Sequence, residues 1–320
     1  AQWCALGLVP PRIAVNVSAV QMRRADFADA VRKKLQAFNA SILDIEITES
    51  LFVEDVASCV QCLRKMREFG VRVAVDDFGT GYSSLAYLKK LPIDYLKVDQ
   101  SFVKDVIYDP DAAAICIAII DLAHNLKLKV IAEGVETEAQ MNYLRRKHCD
   151  EIQGYYFSKP LSMQDMGQLL HTGACIPVPR EPDAPVRRIL VVDDEPGILS
   201  ALRRVLRRDG YEILAASSAK EGLRILGDHD VQVILSDQRM PEMSGTEFLS
   251  RVRDLYPETI RIILSGYTDL ESIADAINRG SIYKFLTKPW DDDLLRENIR
   301  EAFNHHDSFR NRAIPRLDSL

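Results

Sequence analysis

Long hydrophobic runs are missing from this sequence of 320 residues: the longest, Ala112 to Ile120, spans nine residues and stops at Asp121. A bilayer-crossing helix needs about twenty apolar residues, so no membrane span is expected. No basic segment followed by an apolar stretch opens the chain, and no secretory signal is expected. Cysteine is scarce. Cys4, Cys59, Cys62, Cys116, Cys149 and Cys175 are the six present, too few for a disulfide framework, and a cytoplasmic setting is expected. Cys59-Val-Gln-Cys62 has a CxxC spacing without a second pair or a His cluster, and reads as plain helix positions. Blocks of one charge are also lacking. The chain carries 41 Lys and Arg against 47 Asp and Glu, net −6, and from Arg187 onward the counts are 20 and 23. With no basic tract to follow phosphates, DNA and RNA are not expected partners. The first residue is Ala1 rather than Met, and the sequence reads as if it begins in mid-domain.

What is present is ordinary globular material. The hydrophobic share of 47% and charged share of 28% match folded soluble chains, and the length suits two domains. Pro177, Pro179, Pro182 and Pro185 fall within nine positions. Such a cluster forbids helix and central strand, so a semi-rigid spacer is expected over 173–187. It separates a first domain at 1–172 from a second at 188–306, with a tail at 307–320. The tail shows no DNA-binding helix pair and reads as a frayed extension of the last helix.

The second domain alternates strands with amphipathic helices five times: Arg188–Val192, Tyr211–Ala215, Val231–Leu235, Arg261–Leu264 and Ile282–Leu286. A last helix is expected from about Asp291 to Phe303. This pattern predicts a doubly wound, five-stranded parallel sheet with its chemistry beyond the strands' carboxyl ends. Those ends carry Asp193, Asp194, Asp237, Ser265 and Lys288. Three converging carboxylates suit Mg²⁺, and a hydroxyl with an ammonium suits a phosphoryl group held on one of them. Val191-Val-Asp-Asp-Glu195, Ser236-Asp-Gln-Arg-Met-Pro-Glu-Met-Ser-Gly245, Leu264-Ser-Gly266 and Thr287-Lys-Pro289 together resemble the receiver domain of two-component response regulators. The resemblance implies that Asp237 is phosphorylated and binds Mg²⁺ with Asp193 and Asp194. Ser265, Lys288 and Phe285 would form the switch, and a sensor histidine kinase or phosphotransfer protein would be the partner.

The first domain repeats a strand–helix unit six times, with strands at Ile13–Val17, Leu43–Thr48, Val71–Asp76, Tyr95–Val98, Lys129–Ala132 and Glu151–Tyr156. Helices such as Ala57–Phe69 and Asp111–Leu126 are expected between them. Asn16, Glu46, Asp76, Asp77, Lys97, Glu133 and Gln153 fall at the strands' carboxyl ends. An incomplete TIM-type (β/α) barrel, six of eight units, is the predicted fold, with its site on that rim. Hard oxygen ligands without His or Cys suit Mg²⁺ or Mn²⁺, and two such ions activate water for attack on a phosphodiester.

Val15-Asn-Val-Ser18, Glu46-Ile-Thr-Glu49, Asp76-Asp-Phe-Gly-Thr-Gly-Tyr-Ser-Ser84, Leu96-Lys-Val-Asp99, Ala132-Glu-Gly-Val-Glu136 and Gln153-Gly-Tyr155 resemble the EAL family of cyclic di-GMP phosphodiesterases. The resemblance implies metal ligation by Asn16, Glu46, Asp76 and Asp77, and catalytic roles for Lys97, Glu133 and Gln153. It assigns Glu136 as anchor of the loop Phe78–Ser84, and implies a homodimer hydrolysing cyclic di-GMP to linear pGpG. The family's Glu-x-Leu-x-Arg signature is absent, and its expected place lies upstream of Ala1. Little hydrolysis by this chain alone is therefore expected. Two alternatives accompany that reading: a non-catalytic module binding cyclic di-GMP or a protein, and a receiver serving alone as a phosphate sink or dimerisation switch.

Overall fold

The computed structural model describes residues 3, 11–36, 43–49, 56–80, 88–173, 175–176, 186–266 and 280–313, with side chains as far as Ser308. The four linker prolines and residues 81–84 of the loop after Phe78 lie outside these. The chain forms two compact units, one on each side of the proline-rich segment. Among the described residues no helix is long and apolar enough to cross a membrane.

The first unit is a curled half-barrel of six parallel strands in sequential order: β1 (Ile13–Asn16), β2 (Leu43–Thr48), β3 (Arg72–Phe78), β4 (Tyr95–Val98), β5 (Lys129–Glu133) and β6 (Glu151–Gln153). Among the described residues seven helices intervene or follow: α1 (Ala19–Met22), α2 (Phe27–Leu35), α3 (Val56–Glu68), α4 (Gln100–Lys104), α5 (Pro110–Asn125), α6 (Glu138–Arg146) and α7 (Met163–Thr172). Alternation along the strands divides their side chains between two faces. Ile45, Ile47, Val73, Val75, Leu96, Val98, Val130 and Ala132 are buried apolar positions of one face. The opposite face carries Asp44, Glu46, Arg72, Asp76, Tyr95, Lys97 and Glu133. Caps fix where the helices begin: Ser18 and Thr137 each close a capping box, with Gln21 and Gln140, satisfying backbone donors that the first turn leaves open.

Strand β6 ends three residues before the expected Tyr156. The chain turns sharply at Gly154, where an added Cβ would lie 2.1 Å from the Val135 carbonyl oxygen. Val135 N–H donates to Gln153 O at 3.1 Å and Tyr156 N–H to Val135 O at 2.9 Å. This local exchange overrides the strand preference of the tyrosines that follow. Cys59 and Cys62 lie on α3 as free thiols, one buried and one half-buried.

The second unit is a five-stranded parallel sheet in the order β11-β10-β9-β7-β8. Its strands are β7 (Arg188–Val192), β8 (Glu212–Ala216), β9 (Val233–Asp237), β10 (Ile260–Ser265) and β11 (Lys284–Thr287). Among the described residues its α-helices are α8 (Pro196–Leu206), α9 (Ala219–Asp228), α10 (Gly245–Leu255) and α11 (Asp292–Ala313). Ile189, Val191, Val233, Leu235, Ile262 and Leu264 pack against Leu202, Leu206, Leu295, Ile299 and Phe303. Helix α11 runs ten residues past Phe303, so the first part of the expected tail is helical. The strand order reverses direction between β7 and β9, which opens a crevice at their carboxyl ends.

Candidate functional site

Parallel registry gathers the polar ends of the first unit's strands. Asn16 pairs with Glu46, Thr48 with Asp76, and Glu133 with Gln153. Lys97, on the central strand β4, is almost fully buried. Its Nζ lies 2.5 Å from Glu133 Oε1, 2.9 Å from Glu46 Oε1 and 3.1 Å from Asp76 Oδ1. Burial works against the ammonium, but hydrogen bonds to Glu133 and Glu46 outweigh it and raise the Lys97 pKa above the ordinary lysine value. Burial lifts the Glu133 carboxyl; Lys97 pulls it down, Asp76 and Glu46 push it up, and the net shift is upward. Asp77 is also raised, first by partial desolvation and then by Asp76 and Asp99. It adopts φ +54°, a left-handed backbone unusual for a residue other than glycine.

Asp76, Asp77 and Glu133 each offer a carboxylate oxygen within 4.8 Å of the others. This set of hard oxygen donors, more negative than Lys97 alone balances, fits a divalent cation of the Mg²⁺ or Mn²⁺ type. Glu46 joins the cluster through Lys97. Asn16 and Gln153 stand on the outer strands β1 and β6, both exposed, at the register positions of Glu46 and Glu133.

The loop after β3 meets a residue that sequence reasoning passed over. Gly79 N–H donates to Glu49 Oε2 at 3.4 Å, and Glu49 is buried. Glu136, the expected anchor, is exposed, and its backbone N–H donates to Gln140 Oε1. Among the described residues its carboxylate does not reach the loop. Glu49 lies three residues after Glu46, one step beyond the end of β2, and this spacing was the available signal. Asp99 is a second omission: its carboxyl lies close enough to Asp77 to help raise that group's pKa, and it accepts from Ser101 N–H at 2.8 Å, joining the acidic cluster to the start of α4.

In the second unit, Lys288 Nζ bridges Asp237 Oδ1 at 2.5 Å and Asp193 Oδ2 at 2.8 Å. Burial lowers its pKa, but the hydrogen bonds to these carboxylates outweigh that and leave it raised. Arg239 N–H donates to Asp237 Oδ2 at 2.6 Å, and Glu195 N–H to Asp193 Oδ1 at 2.9 Å. Asp194 is exposed, and the three acids do not close into one group as Asp76, Asp77 and Glu133 do. Ser265, buried at the end of β10, donates to Gly266 O at 3.0 Å and is the register partner of Thr287. Phe285 on β11 is 39% exposed. Gly245 must be glycine, because an added Cβ would meet the Asp237 carbonyl oxygen at 2.1 Å.

Comparison with known proteins agrees with both units. The family described as EAL domain matches residues 1–160, and the response regulator receiver domain matches residues 189–300. A cyclic di-GMP phosphodiesterase of Pseudomonas aeruginosa, NbdA, is 45% identical over 161 residues, which are 50% of this chain and 21% of that protein. MucR of the same organism, a bifunctional diguanylate cyclase/cyclic di-GMP phosphodiesterase, is 42% identical over 166 residues, 51% of this chain and 24% of its own. The chain thus spans about a fifth to a quarter of the length of these curated relatives. The crystal structure of the EAL domain of Mycobacterium smegmatis DcpA superposes with a TM-score of 0.52 at 38% identity, covering 55% of this chain and 80% of that one. This chain belongs to the EAL domain family, and a response regulator receiver domain follows its EAL domain.

Proposed function

We propose that this protein is a receiver-controlled cyclic di-GMP phosphodiesterase, hydrolysing its substrate to linear pGpG. The observation that carries the reading is the buried Lys97 ammonium among Glu46, Asp76 and Glu133, beside the Asp76–Asp77–Glu133 cluster. Asp76 and Asp77, with Glu46 and Asn16, would hold divalent cations, which supply a Lewis acid and an acidified water when bound. Glu133 is the residue suited to accept that water's proton, since its raised pKa lies closer to neutrality than an ordinary carboxylate's. Lys97 orients the Glu133 carboxylate and offers a positive charge to a developing phosphorane oxygen. Gln153 lines the pocket from β6. Glu49 holds Gly79, and with it the loop carrying Asp77, in place.

In the receiver, Asp237 is the residue to take up a phosphoryl group from a histidine kinase or phosphotransfer protein; Asp193, Asp194 and Asp237 would hold Mg²⁺, which would offset the charge of the phosphoryl oxygens. The new charge repositions Lys288, Ser265 and Phe285. A second reading gives the same acidic cluster and Lys97 to binding alone, as a non-catalytic module that holds cyclic di-GMP under receiver control. The deciding experiment follows conversion of cyclic di-GMP to the linear dinucleotide with Mn²⁺, beside binding measured by calorimetry. Turnover abolished by Glu133→Gln supports the enzyme, binding without turnover supports the module, and neither activity removes both.

A further inference from the structure

The receiver unit holds another concentration of charge at the edge of its sheet opposite Asp237. There Val186, Arg187, Asp209, Gly210, Tyr211 and Arg300 line an open hollow of about 460 Å³, within the range of small-molecule pockets. Its walls are the lead-in to β7, the turn before β8 and one side of α11. Tyr211 stacks on the buried Phe303 with ring centroids 4.5 Å apart, and the Arg187 guanidinium stands 5.6 Å from the centre of the same ring.

The charges here do not cancel. Asp209 is consumed by Arg296, whose Nε donates to Oδ2 at 2.8 Å and Nη2 to Oδ1 at 2.9 Å. That bidentate pair leaves Arg300 at 3.7 Å from the same carboxylate, its side chain 57% exposed. Arg187 meets Asp307 at 2.8 Å, both partly exposed, and His306 lies 3.5 Å from the same aspartate. Asp293, 3.6 Å from Arg296, stands almost wholly in solvent and is screened there. Arg207 and Arg208 precede Asp209 in the chain, exposed and without an ionic partner among the described residues. The hollow therefore has surplus guanidinium with its structural carboxylate already satisfied. Planar, always-charged guanidinium forks match phosphate oxygens; Arg300, left over from the Asp209–Arg296 pair, and the nearby Arg207 and Arg208 keep the region net positive although Arg187 is shared with Asp307.

We infer that this hollow binds a phosphate-bearing small molecule, held by Arg187 and Arg300 with the Tyr211 hydroxyl as a neutral donor. The test is calorimetric titration of the full chain carrying Asp237→Asn, in EDTA, with pyrophosphate and with GMP. Saturable binding is expected, weakened at least about tenfold by Arg187→Ala or Arg300→Ala, as loss of a charge-assisted hydrogen bond implies. Tighter binding of GMP assigns a nucleotide as the source of the phosphate; equal binding assigns the phosphate group alone. Should either alanine variant melt early, Arg300→Lys keeps the charge while losing the fork, and weaker pyrophosphate binding by that variant gives the same reading. No saturable heat at millimolar probe, or binding indifferent to the arginine variants, overturns the inference.

Discussion

Replacing Lys97 by Met tests whether the first unit's site is built around a cation. The side chain is 2% exposed and contacts three carboxylates that are themselves only 12%, 14% and 17% exposed. Met fills much of the same volume, so the change removes charge more than packing. Glu46, Asp76 and Glu133 then face one another without the ammonium. Removing one partner of a buried ion pair costs about 3–5 kcal/mol, because the remaining charges stay desolvated. For a unit of this size each kilocalorie shifts the midpoint by about 2–4 °C, so scanning calorimetry in EDTA is expected to show the EAL transition lowered by about 6–20 °C. Divalent metal supplies a second measurement. A ligand at a hundred times its dissociation constant adds about 2.7 kcal/mol to the native state, so Mn²⁺ is expected to restore between about half and nine-tenths of the loss. Mn²⁺ stabilises the variant more than the wild type, since Lys97 no longer competes for the same oxygens. A shift below about 3 °C in EDTA would refute the argument, as would equal stabilisation of both proteins by Mn²⁺.

Other consequences are as direct. Asp44 accepts from Arg12 and Arg72 at 2.5 and 3.0 Å; burial raises its pKa, but the two arginines pull it below the ordinary value. A depressed folded pKa contributes stability that is complete above the unfolded value of about 4 and is lost as pH falls through the folded one. Asp44→Asn is therefore expected to flatten the dependence of the EAL midpoint on pH below about 4, and an unchanged slope would count against it. Gly154→Ala, which places a Cβ 2.1 Å from Val135 O, is expected to destabilise the unit by about 3 kcal/mol in denaturant unfolding; a neutral effect would mean the turn can open. Asp237→Asn is expected to abolish phosphoryl uptake from a small-molecule phosphodonor, and persistent labelling of that variant would reassign the acceptor.

The architecture was largely legible because hydrophobic runs and polar strand ends alternate at spacings that only a parallel sheet satisfies. Leu43–Thr48, Tyr95–Val98 and Arg188–Val192 begin and end where the pattern puts them. Legibility failed where the cause is tertiary. The end of β6 is set by the close approach of Gly154 to Val135, which no local propensity encodes. Glu49 was visible as a residue but not as an anchor, because the contact of its carboxylate with Gly79, thirty residues on, is made only by the fold. The basic hollow was hidden for a similar reason. Arg187, Arg296 and Arg300 are more than a hundred residues apart in the extreme, and folding brings them to one edge.

Charge balance separates function from structure on the polar face of the half-barrel. Interiors of such barrels are ordinarily filled by branched apolar side chains in layers, yet two polar layers lie here, two residues apart on β2 (Asp44, Glu46) and β4 (Tyr95, Lys97) and four apart on β3 (Arg72, Asp76). In the lower layer Asp44 meets two guanidiniums, and Arg72 also donates to the Tyr95 hydroxyl at 2.6 Å. Among the described residues, no negative charge there lacks a protein partner. The upper layer sets Glu46, Asp76 and Glu133 against Lys97, with Asp77 beside them. Buried charge is tolerated only when compensated, so the lower layer is complete as built, while the upper one carries acid that the protein's own cation does not balance. That inequality singles out the carboxyl-end layer as the place for a divalent ion, independently of any motif, and explains why Lys97 stands at its centre.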